Sequence, residues 1–273
     1  MTMMTNLDTI LKEKWLTKRD RQIVTDLYYC KILNSDQIEK IYFKYDDFGR
    51  INKYSRLIAL RRLNKLCKND LLNKFWFSYN NRSSTQHFYL GPNGIELVSR
   101  ELEIPKAELK WIPKGPQSFT FIENTIETLN IRVFFHKQNV SVKKFVVEQI
   151  GRIYYNNKYL EPDATIYCVL NNKERIFFIE RDRGTMNSTY VKNKIKNYES
   201  CYFSQQWLEK FQEFPITLFV TTNEKRTKEL LKIFKENLNS DLTFLFTDYE
   251  KAKLNITGKI WQSPLNNNLY NLK

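Results

Sequence analysis

Residues 164–182, ATIYCVLNNKERIFFIERD, constrain this chain more than any other stretch. Two runs rich in β-branched and aromatic residues flank Asn171-Asn172, which predicts a hairpin of strands at Ala164–Leu170 and Arg175–Asp182. The second run is apolar almost throughout and ends on Glu180-Arg181-Asp182. Such strands need a sheet covered on both faces, so helices are expected on either side.

The flanking sequence supplies those helices. A helix beginning after Ser118 carries Phe119, Ile122, Ile126, Leu129 and Val133 as an inward stripe, with Glu123 and Glu127 beside it. Val140–Gln149 reads as a strand and Thr189–Phe203 as a helix. Pro215–Thr221 and Leu242–Thr247 are short apolar strands around an amphipathic helix, Glu224–Leu238. The resulting order is α-β-β-β-α-β-α-β. From Lys251 the chain is Asn-rich and gives no clear element.

The front of the chain has a different pattern. Thr17-Lys18-Arg19-Asp20 is a capping box for a helix that turns Ile23, Val24, Leu27 and Cys30 inward and ends near Leu33. Asn34 or Ser35 caps a short helix through Ile38 and Ile41, and a loop holds Asp46, Asp47 and Gly49. A third helix, about Tyr54 to Cys67, puts Ala59, Leu60, Leu63, Leu66 and Cys67 on one face and Arg61, Arg62, Lys65 and Lys68 opposite. Strands at Leu71–Tyr79 and Gln86–Leu90 follow around a polar turn at Asn80–Thr85. A last helix carries Ile95, Leu97, Val98 and Leu102. Three helices and a hairpin are the winged-helix order, in which the third helix enters the DNA major groove. Arg56, Arg61, Arg62, Lys65 and Lys68 are the expected DNA contacts. The competing reading is a winged helix used for protein contacts, with the basic face merely solvated.

Ile104–Gln117 has three prolines and one glycine and reads as a linker. The fold class is therefore a two-domain α+β/α-β chain, with an N-terminal winged helix and a C-terminal mixed sheet flanked by helices. The expected boundaries are 1–105 for the DNA-binding domain, 106–118 for the linker, 119–250 for the sheet domain and 251–273 for the tail.

Charge points to a polyanion. The net charge is +14, and dividing the chain after Lys110 gives 20 basic against 13 acidic residues, then 24 against 17. Both halves are basic, unlike a neutral protein with one basic tail. From Arg50 to Lys68 there are seven basic residues and no acidic one. Phosphate neutralisation with counterion release is the natural use of such charge. No apolar run approaches a membrane span and no secretion signal precedes the first helix, so a cytoplasmic protein is expected. Cys30, Cys67, Cys168 and Cys201 form no C-x-x-C pair and read as buried thiols in a reducing compartment. His87 and His136 are isolated, and there is no H-x-H, H-E-x-x-H or phosphate-loop motif.

The hairpin carries the candidate chemistry. Glu180 and Asp182 alternate onto one face of their strand. Asp163 begins the neighbouring strand, and pairing brings it opposite their end. Three carboxylates then converge, with Glu123 or Glu148 as a fourth, an oxygen set suited to Mg²⁺ or Mn²⁺. Such a metal polarises a phosphate and activates water. Lys194, on the following helix, is placed to orient a nucleophile or to stabilise charge. The alternative is a structural network in which Glu180 and Asp182 pair with Arg181, Arg183 and Lys194.

Pro162-Asp163 followed by Glu180-x-Asp182 resembles the PD-(D/E)XK nuclease-like superfamily. With the winged helix in front, PDA at 162–164, ERDRGT at 180–185 and Lys194-x-x-x-Tyr198, the chain resembles the replication-relaxation proteins over about Leu16 to Thr247. The resemblance implies a restriction-endonuclease-like second domain and a DNA-processing role in the replication, relaxation or mobilisation of a plasmid or other mobile element. It also implies double-stranded DNA, plasmid replication or transfer proteins and a second copy of the chain as partners. Asp182 stands where the superfamily has its lysine, and Asn124 where a family histidine is expected. A rolling-circle initiator of the paired-histidine kind does not fit. Tyr190 and Tyr198 are alternative nucleophiles. Two functions stay open: Mg²⁺-dependent nicking, and non-catalytic binding of an origin or operator by a degenerate nuclease fold. An RNA-binding or protein-scaffold role is a third class.

Overall fold

A computed structural model describes residues 6–12, 15–45, 50–78, 84–110, 118–266 and 268–272. The loop with Asp46, Asp47 and Gly49, the hairpin tip at 79–83 and linker residues 111–117 lie outside the described residues. Two compact units divide the chain, Met1–Leu129 and Asn130–Lys273.

The first unit opens with α1 (Asn6–Lys12) and α2 (Lys18–Cys30). Thr17 caps α2 in a reciprocal box with Asp20. Strand β1 (Leu33–Asn34) leads into α3 (Ser35–Ile38), which Asn34 caps with Gln37 and which continues as a π-helical turn over Glu39–Phe43. Helix α4 (Ser55–Lys68), strands β2 (Leu72–Phe77) and β3 (Thr85–Leu90) and helix α5 (Pro92–Glu101) follow. The strands form a small sheet in the order β1-β3-β2, all antiparallel. The expected three-helix-and-hairpin order is present, with β1 added as a third strand.

The front of the linker is packed: Leu109 is buried and the Lys110 amide donates to the Tyr28 hydroxyl at 3.1 Å. The linker is expected at 106–118, whereas the division between the two compact units falls inside α6 (Phe119–Lys137). The cause is apolar burial in the first unit. Ile122 and Ile126 join Ile32 in a core that Phe75, Phe77 and Tyr89 line, and Gln37 Nε2 donates to the Ile126 carbonyl at 3.1 Å. Phe119, expected inward, is instead exposed, with its ring centre 4.9 Å from that of Phe77.

The second unit is a mixed α/β structure on one large sheet. Its elements are β4 (Ser141–Val147), α7 (Glu148–Gly151), β5 (Ile153–Tyr155), β6 (Lys158–Leu160), β7 (Ala164–Leu170), β8 (Lys173–Asp182) and α8 (Ser188–Ser204). They continue with β9 (Ile216–Thr221), α9 (Glu224–Asn237), β10 (Phe244–Asp248), α10 (Tyr249–Asn255), β11 (Trp261–Gln262) and β12 (Leu269–Tyr270). The sheet order is β12-β11-β10-β9-β8-β7-β4. Strands β8, β9 and β10 are parallel, joined through α8 and α9, and the outer pairings are antiparallel.

Alternation along β8 divides its side chains between two cores. Phe178 faces α8 and α9, where Ile195, Tyr198, Phe219, Phe234, Phe244 and Phe246 close around it. Phe177 turns the other way and stacks on Phe135 of α6 at 6.4 Å. Burying each such ring contributes about 1.5–3 kcal/mol, so a strand apolar on both faces holds the centre of the sheet. The tail from Lys251, in which the sequence gives no clear element, continues α10 and forms β11 and β12. Trp261 is its anchor, fully buried with Nε1 donating to the Ile256 carbonyl at 2.8 Å. No helix among the described residues is long and apolar enough to cross a membrane.

Candidate functional site

Strand pairing puts Ala164 opposite Ile179, so Asp163 comes level with Glu180. Asp163 Oδ2 accepts the Arg181 amide at 2.7 Å, and the Asp163 carbonyl accepts the Glu148 amide at 3.2 Å. Glu148 holds a positive φ of 41°, an uncommon conformation for a non-glycine residue. Lys194 Nζ bonds Glu180 Oε2, and the Tyr198 hydroxyl donates to Glu180 Oε1 at 2.6 Å. The expected grouping of Asp163, Glu180 and Lys194 is therefore present, with Tyr198 completing it. Both oxygens of Glu180 are engaged, and the residue is 1% exposed.

Burial dominates the electrostatics of this group. It pushes the Glu180 carboxyl up, the Lys194 charge pulls it back and Asp163 raises it again, leaving it at about 7. Burial alone lowers the Lys194 ammonium, but Glu180 and Asp163 outweigh it and hold the group above the usual lysine value. Burial and the Glu180 charge drive the Tyr198 hydroxyl well above the ordinary phenol. Tyr198 is fully buried, so it is a donor to Glu180 and not an exposed nucleophile. Tyr190, by contrast, is 56% exposed near the start of α8.

Asp182 departs from the expected cluster. It shares the face of Glu180 but is 0% exposed, with Oδ2 2.5 Å from Arg226 Nε of α9 and Oδ1 2.9 Å from the Gly184 amide. Arg226 also donates to the Met186 carbonyl at 2.7 Å. Gly184 has a φ of +78°, the left-handed region that glycine adopts without strain. Asp182, Gly184 and Arg226 thus form a tie between the end of β8 and the start of α9. Glu123 lies on the part of α6 that belongs to the first unit. Among the described residues no three histidine, cysteine, aspartate or glutamate side chains group to hold a metal ion. The three-carboxylate cluster expected from the sequence is not assembled: Asp182 bonds Arg226, while Asp163 and Glu180 remain beside Lys194.

In the first unit, α4 exposes Arg61, Asn64, Lys65 and Lys68 along one face while Ala59, Leu63 and Leu66 are buried. Lys74 of β2 donates to Asn64 Oδ1 at 3.0 Å, placing the outer face of the hairpin beside that of α4. Lys65 Nζ lies 4.3 Å from the Trp15 ring centre. Two expected DNA contacts are engaged elsewhere. Arg62 bonds Asp20, with Nε 3.1 Å from Oδ1, and donates to the Trp15 carbonyl at 3.1 Å. Asp20 is 1% exposed, so Arg62 is the counter-charge of a buried carboxylate. Arg56 is exposed and donates to Asp36 at 2.7 Å.

Spacing on one element cannot reveal Arg226, because its partner lies 44 residues earlier. For Tyr198 a signal was available: eighteen residues after Glu180, it shares a helix face with Lys194 at i,i+4.

No curated protein matches the chain. Among solved structures it is similar to PadR of Bacillus subtilis in complex with operator DNA, at 14% identity and a TM-score of 0.21, over 41% of this chain and 66% of that one. It is also similar to the restriction endonuclease FokI, at 12% identity and a TM-score of 0.29, over 87% of this chain and 44% of that one. The chain thus spans just under two thirds of the first structure's length and less than half of the second's. The replication-relaxation family matches it over residues 24–216, from the middle of α2 to the first residue of β9. The match runs well over half its length, and the chain belongs to the replication-relaxation family.

Proposed function

We propose that this protein is a double-stranded-DNA-binding factor of a plasmid or other mobile element, acting in its replication, relaxation or mobilisation. Its first unit works as a winged helix, with α4 in the major groove and the β2–β3 hairpin against the backbone. One observation carries the reading: Arg61, Lys65 and Lys68 lie exposed on one face of α4, in a stretch without any acidic residue from Arg50 to Lys68. Each cation that neutralises a phosphate releases counterions and adds to the salt dependence of binding. Family membership supports the setting. The second unit serves assembly or DNA contact as a nuclease-like fold without metal-dependent cleavage. Asp182 is committed to Arg226, and Glu180 to Lys194 and Tyr198. Replication or transfer proteins and a second copy of the chain are the partners this role calls for, in the cytoplasm.

One observation favours a nicking enzyme instead: Asp163, Glu180 and Lys194 do gather, and a carboxyl near 7 suits proton transfer at neutral pH. Incubating supercoiled plasmid with the protein and Mg²⁺ or Mn²⁺ separates the two. The binding reading predicts retarded plasmid that stays supercoiled with either metal. Nicking that disappears in Asp163→Ala and Glu180→Ala would replace it with the enzyme.

A further inference from the structure

The β5–β6 ribbon joins no other strand and turns one face outward. Ile153, Tyr155 and Leu160 bury its inner face in the core beneath α8. On the outer face Tyr154 and Tyr159 are directly paired across the strands, 60% and 45% exposed, with ring centres 6.2 Å apart. Cross-strand aromatic pairing alone stabilises a ribbon. Here the rings also sit among cations. Arg152 Cζ lies 4.1 Å from the Tyr159 ring centre, and Lys210 Nζ donates to the Arg152 carbonyl at 2.6 Å. Glu161, bonded to Arg152, is the carboxylate set against them.

We propose that Tyr154 and Tyr159, with Arg152 and Lys210, form a stacking platform for the unpaired bases of a single nucleic-acid strand. Exposed rings interleaved with cations are what sequence-tolerant single-strand binding requires, because every base has a face to stack and every linkage a charge to neutralise. The position fits a protein that handles opened DNA. Glu161 leads directly to Asp163, and Asn197, less than one turn beyond Lys194, donates to the Tyr159 carbonyl at 3.4 Å. The platform does not depend on α4, which the duplex reading uses.

The test measures anisotropy of labelled oligo-dT and oligo-rU of about 12 nucleotides on the full chain, within the range of single-strand site sizes. Tyr154→Thr/Tyr159→Thr is expected to weaken oligonucleotide binding about tenfold or more, with duplex affinity unchanged and Tm lowered only by the loss of one cross-strand aromatic pair. Tyr154→Phe/Tyr159→Phe keeps the rings and is expected to bind as the wild type does. Lys210→Ala, at an exposed position, is expected to lower the salt slope by about one. The two oligonucleotides show whether the sugar is read. Unchanged binding in the threonine variant, equal loss in the phenylalanine variant, or a wild type that binds neither oligonucleotide would overturn the proposal. If the threonine variant fails to fold, an unaltered salt slope in Lys210→Ala overturns it instead.

Discussion

Arg226 Nε of α9 lies 2.5 Å from Asp182 Oδ2 at the end of β8, and the two side chains are 13% and 0% exposed. Where the nuclease superfamily is expected to carry a lysine, this chain has a buried anion held by an arginine. Removing one partner of a buried pair leaves an uncompensated charge. Arg226→Met is therefore expected to destabilise the second unit by about 3–5 kcal/mol in urea unfolding. Asp182→Lys, which introduces the lysine of the nuclease pattern the sequence resembles, sets two cations together, so lower Tm and no gain of plasmid nicking are expected.

Glu180 makes stability depend on pH. Its folded value, about 7, lies above the ordinary 4.5 because burial disfavours the charged form. The sign follows from linkage: the contribution is fully present below about 4.5 and is lost as pH rises through about 7. Over that window the wild type is expected to lose about 3 kcal/mol that Glu180→Gln does not lose. Urea unfolding at pH 4.5, 6 and 7.5 reads the difference. Parallel curves for the two proteins would contradict the assignment.

Arg62 and Arg61 are neighbours in sequence with different expected effects. Arg62 neutralises buried Asp20, so Arg62→Ala is expected to cost about 3 kcal/mol of stability while the salt slope of duplex binding stays put. Arg61→Ala is expected to leave Tm within about 1 °C, since it lies on the exposed face and the change is a surface one. Thermal melts beside binding titrations separate the roles.

How much of this was legible beforehand differs by element. The hairpin at Asn171-Asn172 was readable because both residues take the left-handed backbone, φ 49° and 60°, that a two-residue turn requires. The same signal stands at Asn156-Asn157, φ 42° and 60°, yet the β5–β6 ribbon went unread, since its strands are three residues each. Strands β11 and β12, two residues each, carry no periodicity at all. Asp163, Glu180 and Lys194 could be brought together from strand alternation and one following helix. The fate of Asp182 could not, because Arg226 comes from a helix beyond the next strand. The pairing of Arg62 is hidden from the sequence for a similar reason: its partner Asp20 lies 42 residues away.

The central claim is that the exposed face of α4 binds duplex DNA. Its most direct test is duplex affinity as a function of salt for the wild type and Arg61→Ala/Lys65→Ala. The double variant is expected to bind more weakly and to lose about two units from the slope of log affinity against log salt, at an unchanged Tm. Wild-type affinity and slope in the double variant would place the DNA contact elsewhere and contradict the account.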